Sequence, residues 1–151
     1  MKKFCFLLIC FLPVLFMLVS CGQKGEETIN IGVVAELTGD MPVVGASCKN
    51  AAEMAVKEIN DEGGLTINGK KVKVRLFVED NAGKADQSAL TAQKLISQNN
   101  VVAIVGPNAS RYAIPASEIA ESSQVVLITP WSQEILKDSL TVKTFDSIAT
   151  F

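Results

Sequence analysis

The segment with the clearest chemical potential is Gly106-Pro107-Asn108-Ala109-Ser110, which leads from the apolar run Val101–Val105 into a helical pattern reaching about Ser122. The first amides of a helix have no intrahelical acceptor and carry partial positive charge, so free N–H groups beside a serine hydroxyl can hold an anion. Ser110 can equally serve only as the cap of that helix. Glu79 and Asp80, adjacent carboxylates at the end of an alternating run, suggest metal or acid–base work, or else solvated charges that cap the next helix. Cys48 is a thiol without a partner base, because the chain has no histidine. Its place among Ala51, Ala52 and Ala55 argues for burial rather than catalysis. The stretch Gly64 to Lys71 has the glycine spacing of a phosphate-binding loop, yet Lys71 stands where a magnesium-binding hydroxyl is needed. It also runs from a helix into a strand, the reverse of the required order. No Gly-x-Gly-x-x-Gly follows the first strand, which leaves dinucleotide binding without its motif. Lacking histidine, the chain lacks the usual general base of hydrolases and the commonest zinc ligand. We expect a protein that is not an enzyme and uses neither metal nor cofactor.

Composition narrows the class further. The 151 residues are 48% hydrophobic and 20% charged, enough for one domain with a core. Lys and Arg total 14 against 16 Asp and Glu, and aromatics are only 6%, so there is neither the basic surplus nor the stacking platforms of a nucleic-acid binder.

The elements that must position the Gly106–Ser110 loop follow from periodicity. Ile29 to Ala35 is a short β-branched run suited to a buried strand. Cys48, Ala51, Ala52, Ala55 and Ile59 share a helical face opposite Lys49, Glu53 and Lys57, with Glu53 and Lys57 spaced as an i,i+4 pair. Gly63-Gly64 ends that helix. Asn68-Gly69 predicts a tight hairpin into a strand through Val72, Val74, Leu76 and Val78. A second helix is written in Ala85, Ala89, Ala92, Leu95 and Ile96 and closes at Asn99-Asn100. Val101 to Val105 is a third strand, and the third helix follows, with Pro115 expected in its first turn. Val125 to Ile128 is a fourth strand. Alternating strands and helices predict a three-layer α/β lobe with a parallel sheet and right-handed crossovers. Ligands of such sheets sit beyond the carboxyl ends of the strands, which points to the loops Glu36–Gly45, Gly106–Arg111 and Thr129–Gln133.

Lys2 and Lys3 precede Phe4 to Val19, 16 residues without a charge, as in a signal peptide. The end of that run, Leu18-Val19-Ser20-Cys21, resembles the bacterial lipobox, which implies cleavage before Cys21 and lipidation of its thiol. Cys5 and Cys10 would leave with residues 1–20, and Cys48 would remain without a disulfide partner. The remaining 131 residues would carry 12 basic and 16 acidic side chains, since only Lys2 and Lys3 among the charged residues lie before Cys21. Residues 21–28 then read as the lipidated cysteine and a flexible tether. The expectation is an exported protein on the periplasmic or extracellular face of the cell membrane.

Ile31-Gly32-Val33-Val34 with Leu37-Thr38-Gly39, Ala51 through Gly64, Val78-Glu79-Asp80, Gly106 to Ser117 and Thr129-Pro130 recur in one order. Together they resemble the amino-terminal lobe of the branched-chain amino-acid binding proteins of ABC transporters, a type I periplasmic binding protein fold. The resemblance implies a lobe over residues 29–132, an amino-acid ligand and a membrane permease as partner. By position it implies that the hydroxyl and amide of Ser110, the backbone of Asn108 and the Trp131–Ser132 loop hold the ligand's charged end. Trp131 can also be a lone surface aromatic. Val44 stands where several relatives carry an aromatic, and Gln133 where many carry a hydroxyl. Residues 133–151 do not resemble the family's continuation, from which we expect a frameshift or premature stop near Ser132. A single lobe with an open cleft face would alternatively act as an interaction module that self-associates, or as an inert remnant.

Overall fold

The β-branched run Thr-Ile-Asn-Ile-Gly-Val-Val-Ala favours extended chain, and Thr28–Ala35 forms β1, one residue earlier than its apolar pattern begins. The computed structural model describes residues 27–132 and a strand at 142–144. After β1 come α1 (Pro42–Asp61), β2 (Leu65–Ile67), β3 (Lys70–Asp80), α2 (Ala85–Asn99), β4 (Ala103–Val105), α3 (Ser110–Ser122), β5 (Val126–Thr129) and β6 (Val142–Thr144). One sheet contains all six strands in the order β2-β3-β1-β4-β5-β6. Every neighbouring pair is parallel except the β2–β3 hairpin, which turns through Asn68 and Gly69 at φ 49° and 77°. β1 pairs with β3 along its whole length, from Thr28 opposite Lys73 to Ala35 opposite Asp80.

Handedness distributes the helices. The step from β1 to β3 moves one way across the sheet and the steps to β4 and β5 move the other, so right-handed crossovers place α1 on one face and α2 with α3 on the opposite face. The packing agrees: α2 and α3 lie against each other, while α1 lies on β1 and β3. The dense core is on the α2–α3 side, where Val34, Leu95, Ile104, Ala113, Ala116 and Leu127 meet. This is the expected three-layer lobe. No helix among the described residues is long and apolar enough to cross a membrane.

Three local expectations need correction. Residues 42–45 belong to α1 rather than to the preceding loop: Pro42 at N1 brings a φ already suited to a helix, and the Met41 carbonyl accepts from the amides of Val44 and Gly45 at 3.1 Å. Pro115 lies inside α3, not in its first turn, because the chain already turns at Ala109, whose carbonyl accepts from Tyr112 and Ala113 at 2.9 Å. Glu53 pairs with Lys49 at 3.4 Å, and Lys57 pairs with Asp61, so the Glu53–Lys57 pair does not form. Glu53 and Lys57 each have an opposite charge one turn away in both directions, and pairing outward with Lys49 and Asp61 leaves all four partnered.

Gly45 is the buried residue of α1. A Cβ there would stand 2.2 Å from the Glu36 carbonyl oxygen, so the glycine lets the helix approach the end of β1. Helix propensity alone would make Gly45→Ala stabilising by about 1 kcal/mol. The contact reverses that sign. We expect Gly45→Ala to destabilise the lobe by about 1–3 kcal/mol, as overpacking does, measured as a lower urea midpoint with unchanged m-value; a raised midpoint would contradict the close approach.

Candidate functional site

Polar side chains at the carboxyl ends of the strands tie one loop to the next. Asp80, at the end of β3, accepts hydrogen bonds from the amides of Leu37 and Thr38 at 3.0 and 3.2 Å, from the Thr38 hydroxyl at 2.7 Å and from the Ala82 amide at 2.8 Å. Partial burial works against its charge, but these four donors outweigh that cost and hold the carboxyl below the usual carboxylate range. Asp80 therefore braces the loop after β1 instead of capping α2, whose N-cap is Lys84 without a side-chain cap. Glu79 pairs with Lys94 at 2.8 Å. Asp40 accepts from the Tyr112 hydroxyl at 2.9 Å and pairs with Arg111, whose guanidinium stacks over the Tyr112 ring at 4.5 Å. That cluster joins the loop after β1 to the first turn of α3.

The third link is buried. Glu36, with 0% of its surface exposed, follows β1 directly and accepts from the Asn108 amide at 3.0 Å and from Asn108 Nδ2 at 2.6 Å. On the other side of that loop the Thr129 hydroxyl donates to the Pro107 carbonyl at 2.8 Å. Gly106, at φ 84°, passes so close to β1 that a Cβ would lie 2.2 Å from the Val34 carbonyl oxygen.

The structure brings most of the residues singled out in the sequence to one end of the sheet. Ser110 and Ser132 meet directly, the Ser132 hydroxyl donating to Ser110 Oγ at 3.0 Å, and Ser132 is buried. Ser110 is the first residue of α3 rather than its cap; the cap position is Ala109, with no side-chain hydrogen bond. Asn108 is 3% exposed, whereas Trp131 is 67% exposed. Asn108, Val44 and Trp131 border a cavity of about 640 Å³ that runs along α1 past Cys48, Ala51 and Ala55. Val44 reaches it from the first turn of α1, not from a loop. Cys48 is half-buried rather than enclosed, because this part of α1 faces the cavity. Burial raises its thiol pKa, the Glu36 charge raises it further, and a hydrogen bond with Asn108 offsets part of the rise. Among the described residues no group of three or more His, Cys, Asp or Glu could hold a metal ion. Cys21 lies outside the described residues, as do the signal segment 1–20 and most of 133–151.

Glu36 and Thr129 were missed in the sequence. The sequence marks each only as the first residue of its loop, Glu36–Gly45 or Thr129–Gln133, and nothing local signals the buried hydrogen bonds that they make.

A parallel sheet whose strand ends gather braced loops beside an open cavity is the arrangement at which α/β folds commonly hold ligands. The family model described as periplasmic binding protein matches residues 28–145, and the chain belongs to that family. The relatives it matches include branched-chain amino-acid binding proteins of ABC transporters, and the lobe has the type I periplasmic binding protein fold. It is 38% identical over 102 residues to the Leu/Ile/Val-binding protein BraC3 of Rhizobium johnstonii, covering 68% of this chain and 26% of that protein. An amino acid binding protein of Pseudomonas aeruginosa is 36% identical over 102 residues, with the same coverage of 68% and 26%. Among solved structures, the branched-chain amino acid transporter substrate binding protein LivJ of Streptococcus pneumoniae, in complex with isoleucine, superposes with a TM-score of 0.72 at 29% identity. That match covers 78% of this chain and 33% of LivJ. The chain thus spans about a quarter of the length of these curated relatives. The family match continues past Ser132 to residue 145, and β6 pairs in parallel with β5 inside that stretch. The resemblance does not end at Ser132 as the sequence reading expected. Short strands such as Val142–Thr144 carry too few residues for periodicity to register.

Asp80 gives a pH test. Its folded pKa lies below its unfolded value, so its contribution to stability is present above the unfolded pKa, about 4, and is lost as pH falls through the folded one. We expect Asp80→Asn to lower the thermal midpoint at pH 7 and to narrow its gap from wild type progressively below about pH 4. A constant gap across that range would remove the linkage.

Proposed function

We propose that the chain forms the ligand-recognising lobe of a substrate-binding component of an ABC transporter, taking branched-chain or related amino acids for delivery to a membrane permease. The observation that carries this reading is the meeting of the Ser110 and Ser132 hydroxyls at 3.0 Å, with Asn108 beside an apolar cavity of about 640 Å³. Hydroxyls and backbone groups suit an ammonium and a carboxylate, and the apolar space suits an aliphatic side chain. The names of the relatives, Leu/Ile/Val-binding and isoleucine-bound, support the same chemistry. In this reading Ser110, Asn108, Trp131 and Ser132 hold the charged end, and Val44 lines the wall. Cys21 carries a lipid that holds the exported lobe at the membrane surface.

The test is titration of the chain with L-leucine, L-isoleucine and L-valine, followed by amide chemical shifts. Saturable shifts centred on Asn108, Ser110 and Ser132 are expected, with Ser110→Ala weakening binding by about tenfold, the loss of one hydrogen bond to a charged group. Absence of saturable shifts with all three amino acids would refute the reading. A second reading, a lobe that self-associates through its open face, draws support from the exposure of Val43 and Trp131 at 79% and 67%. Sedimentation at several concentrations separates the two.

A further inference from the structure

Glu36 is a charged side chain that the fold buries outright, at 0% exposure, and no ion pair compensates it among those of the described residues. Such burial is unfavourable unless the carboxylate does something an apolar side chain could not. Both its oxygens are spent on one residue: Oε1 accepts the Asn108 amide and Oε2 accepts Asn108 Nδ2, across 72 positions of sequence. The peptide that carries this amide is held from its other end as well. Its carbonyl, on Pro107, accepts the Thr129 hydroxyl at 2.8 Å, and Thr129 is 0% exposed. In a trans peptide the N–H and C=O point in opposite directions. Glu36 and Thr129 therefore grip the Pro107–Asn108 plane from opposite sides and fix its rotation, in surroundings where water cannot take the place of either partner. Two residues further on, Ser110 opens α3 with its hydroxyl against Ser132.

We infer that Glu36 is a positioning residue of the amino-acid cradle: its buried carboxylate sets the orientation of the Pro107–Asn108 peptide and so aims the groups of Asn108 and Ser110 at the ligand. The inference rests on the amino-acid reading above. Glu36 does not touch the ligand; it acts through Asn108, with Thr129 as its counterpart.

Glu36→Gln keeps the side chain's size but turns an NH2 group toward one of the two Asn108 donors, so one hydrogen bond is lost and the peptide is released. The experiment compares full-length wild type, Glu36→Gln and Thr129→Val by L-leucine titration, thermal unfolding and iodoacetamide alkylation of Cys48, the last resolved from Cys5, Cys10 and Cys21 by mass spectrometry. Glu36→Gln is expected to raise the Kd at least about tenfold, corresponding to one hydrogen bond to a charged group, and Thr129→Val, which loses a hydrogen bond between neutral groups, to raise it about three- to tenfold, both in protein that still unfolds cooperatively. Glu36→Gln, which removes the charge opposing thiol ionisation, is expected to speed Cys48 alkylation in ligand-free protein; Thr129→Val is expected to leave that rate near wild type. A purely structural role would lower the unfolding midpoint and leave the affinity of the folded fraction unchanged, and that result overturns the inference. Wild-type binding of leucine with equal affinity in Glu36→Gln overturns the positioning role alone. No binding by wild type overturns the amino-acid reading and this role together. Should Glu36→Gln fail to fold, Thr129→Val tests the same peptide from its other end, and an unchanged Kd there overturns the inference.

Discussion

The contact on which the ligand-side architecture depends is the burial of Glu36 against Asn108. It joins the end of β1, the central strand, to the loop that opens α3, and three other features depend on it. Gly45 lets α1 press against the Glu36 backbone, which sets where the helix starts relative to the sheet. Cys48, one turn along, is thereby carried to Asn108 and into the field of the same carboxylate. Gly106 passes close over Val34, so the loop has no slack through which to escape the hydrogen bonds. A side chain at 45 or 106 would push apart the surfaces that make Glu36 inaccessible. Water would then compete for its oxygens, and the loop would lose its fixed geometry.

The two faces of the sheet do different work. The α2–α3 side is a conventional core, where Ala92, Leu95, Ile104, Ala113 and Leu127 exclude water and supply most of the apolar burial. The α1 side is built of small residues, Ser47, Cys48, Ala51 and Ala55, which leave space rather than fill it. The larger buried cluster thus lies on the α2–α3 side, while the α1 side, which also buries Val33, Val72 and Val74 outside that cluster, borders the cavity. The braces supplied by Asp80 and Asp40 follow from this division: the loops beside a cavity cannot be fixed by packing, so they are fixed by hydrogen bonds.

What the sequence made legible is what periodicity and turn chemistry encode. β1, β3, β4 and β5, the Asn68-Gly69 hairpin, the Gly63-Gly64 helix end and the left-handed Asn100 rest on local signals and form at them or within two residues of them, whereas β6 carries no such signal. The meeting of Ser110 with Ser132 also followed from topology, because adjacent parallel strands deliver their loops to the same end of a sheet. The errors arose where tertiary contacts chose between local options. Charges in a row at four-residue spacing can pair in two ways, and the outcome for Glu53 was decided by which pairing left Asp61 partnered. Pro115 looked like a helix start until Asp40, by binding Arg111 and Tyr112, fixed the first turn earlier in the chain.

Glu36 was illegible for a deeper reason. A glutamate after a strand is ordinarily a solvated loop residue, and nothing local distinguishes one whose partner lies 72 residues away. The same holds for Asp80, which local logic assigns to the next helix and the fold assigns to the loop after β1. Long-range polar links are set by the sheet order β3-β1-β4-β5, which places the loops after β1, β3 and β4 side by side although they are far apart in the chain. Only when that order is known does it become apparent that three carboxylates, Glu36, Asp40 and Asp80, each leave their own loop to accept from a neighbouring one. A site assembled this way owes its precision to the sheet and its chemistry to the loops, so sequence patterns locate it well before they reveal which side chains hold it in shape.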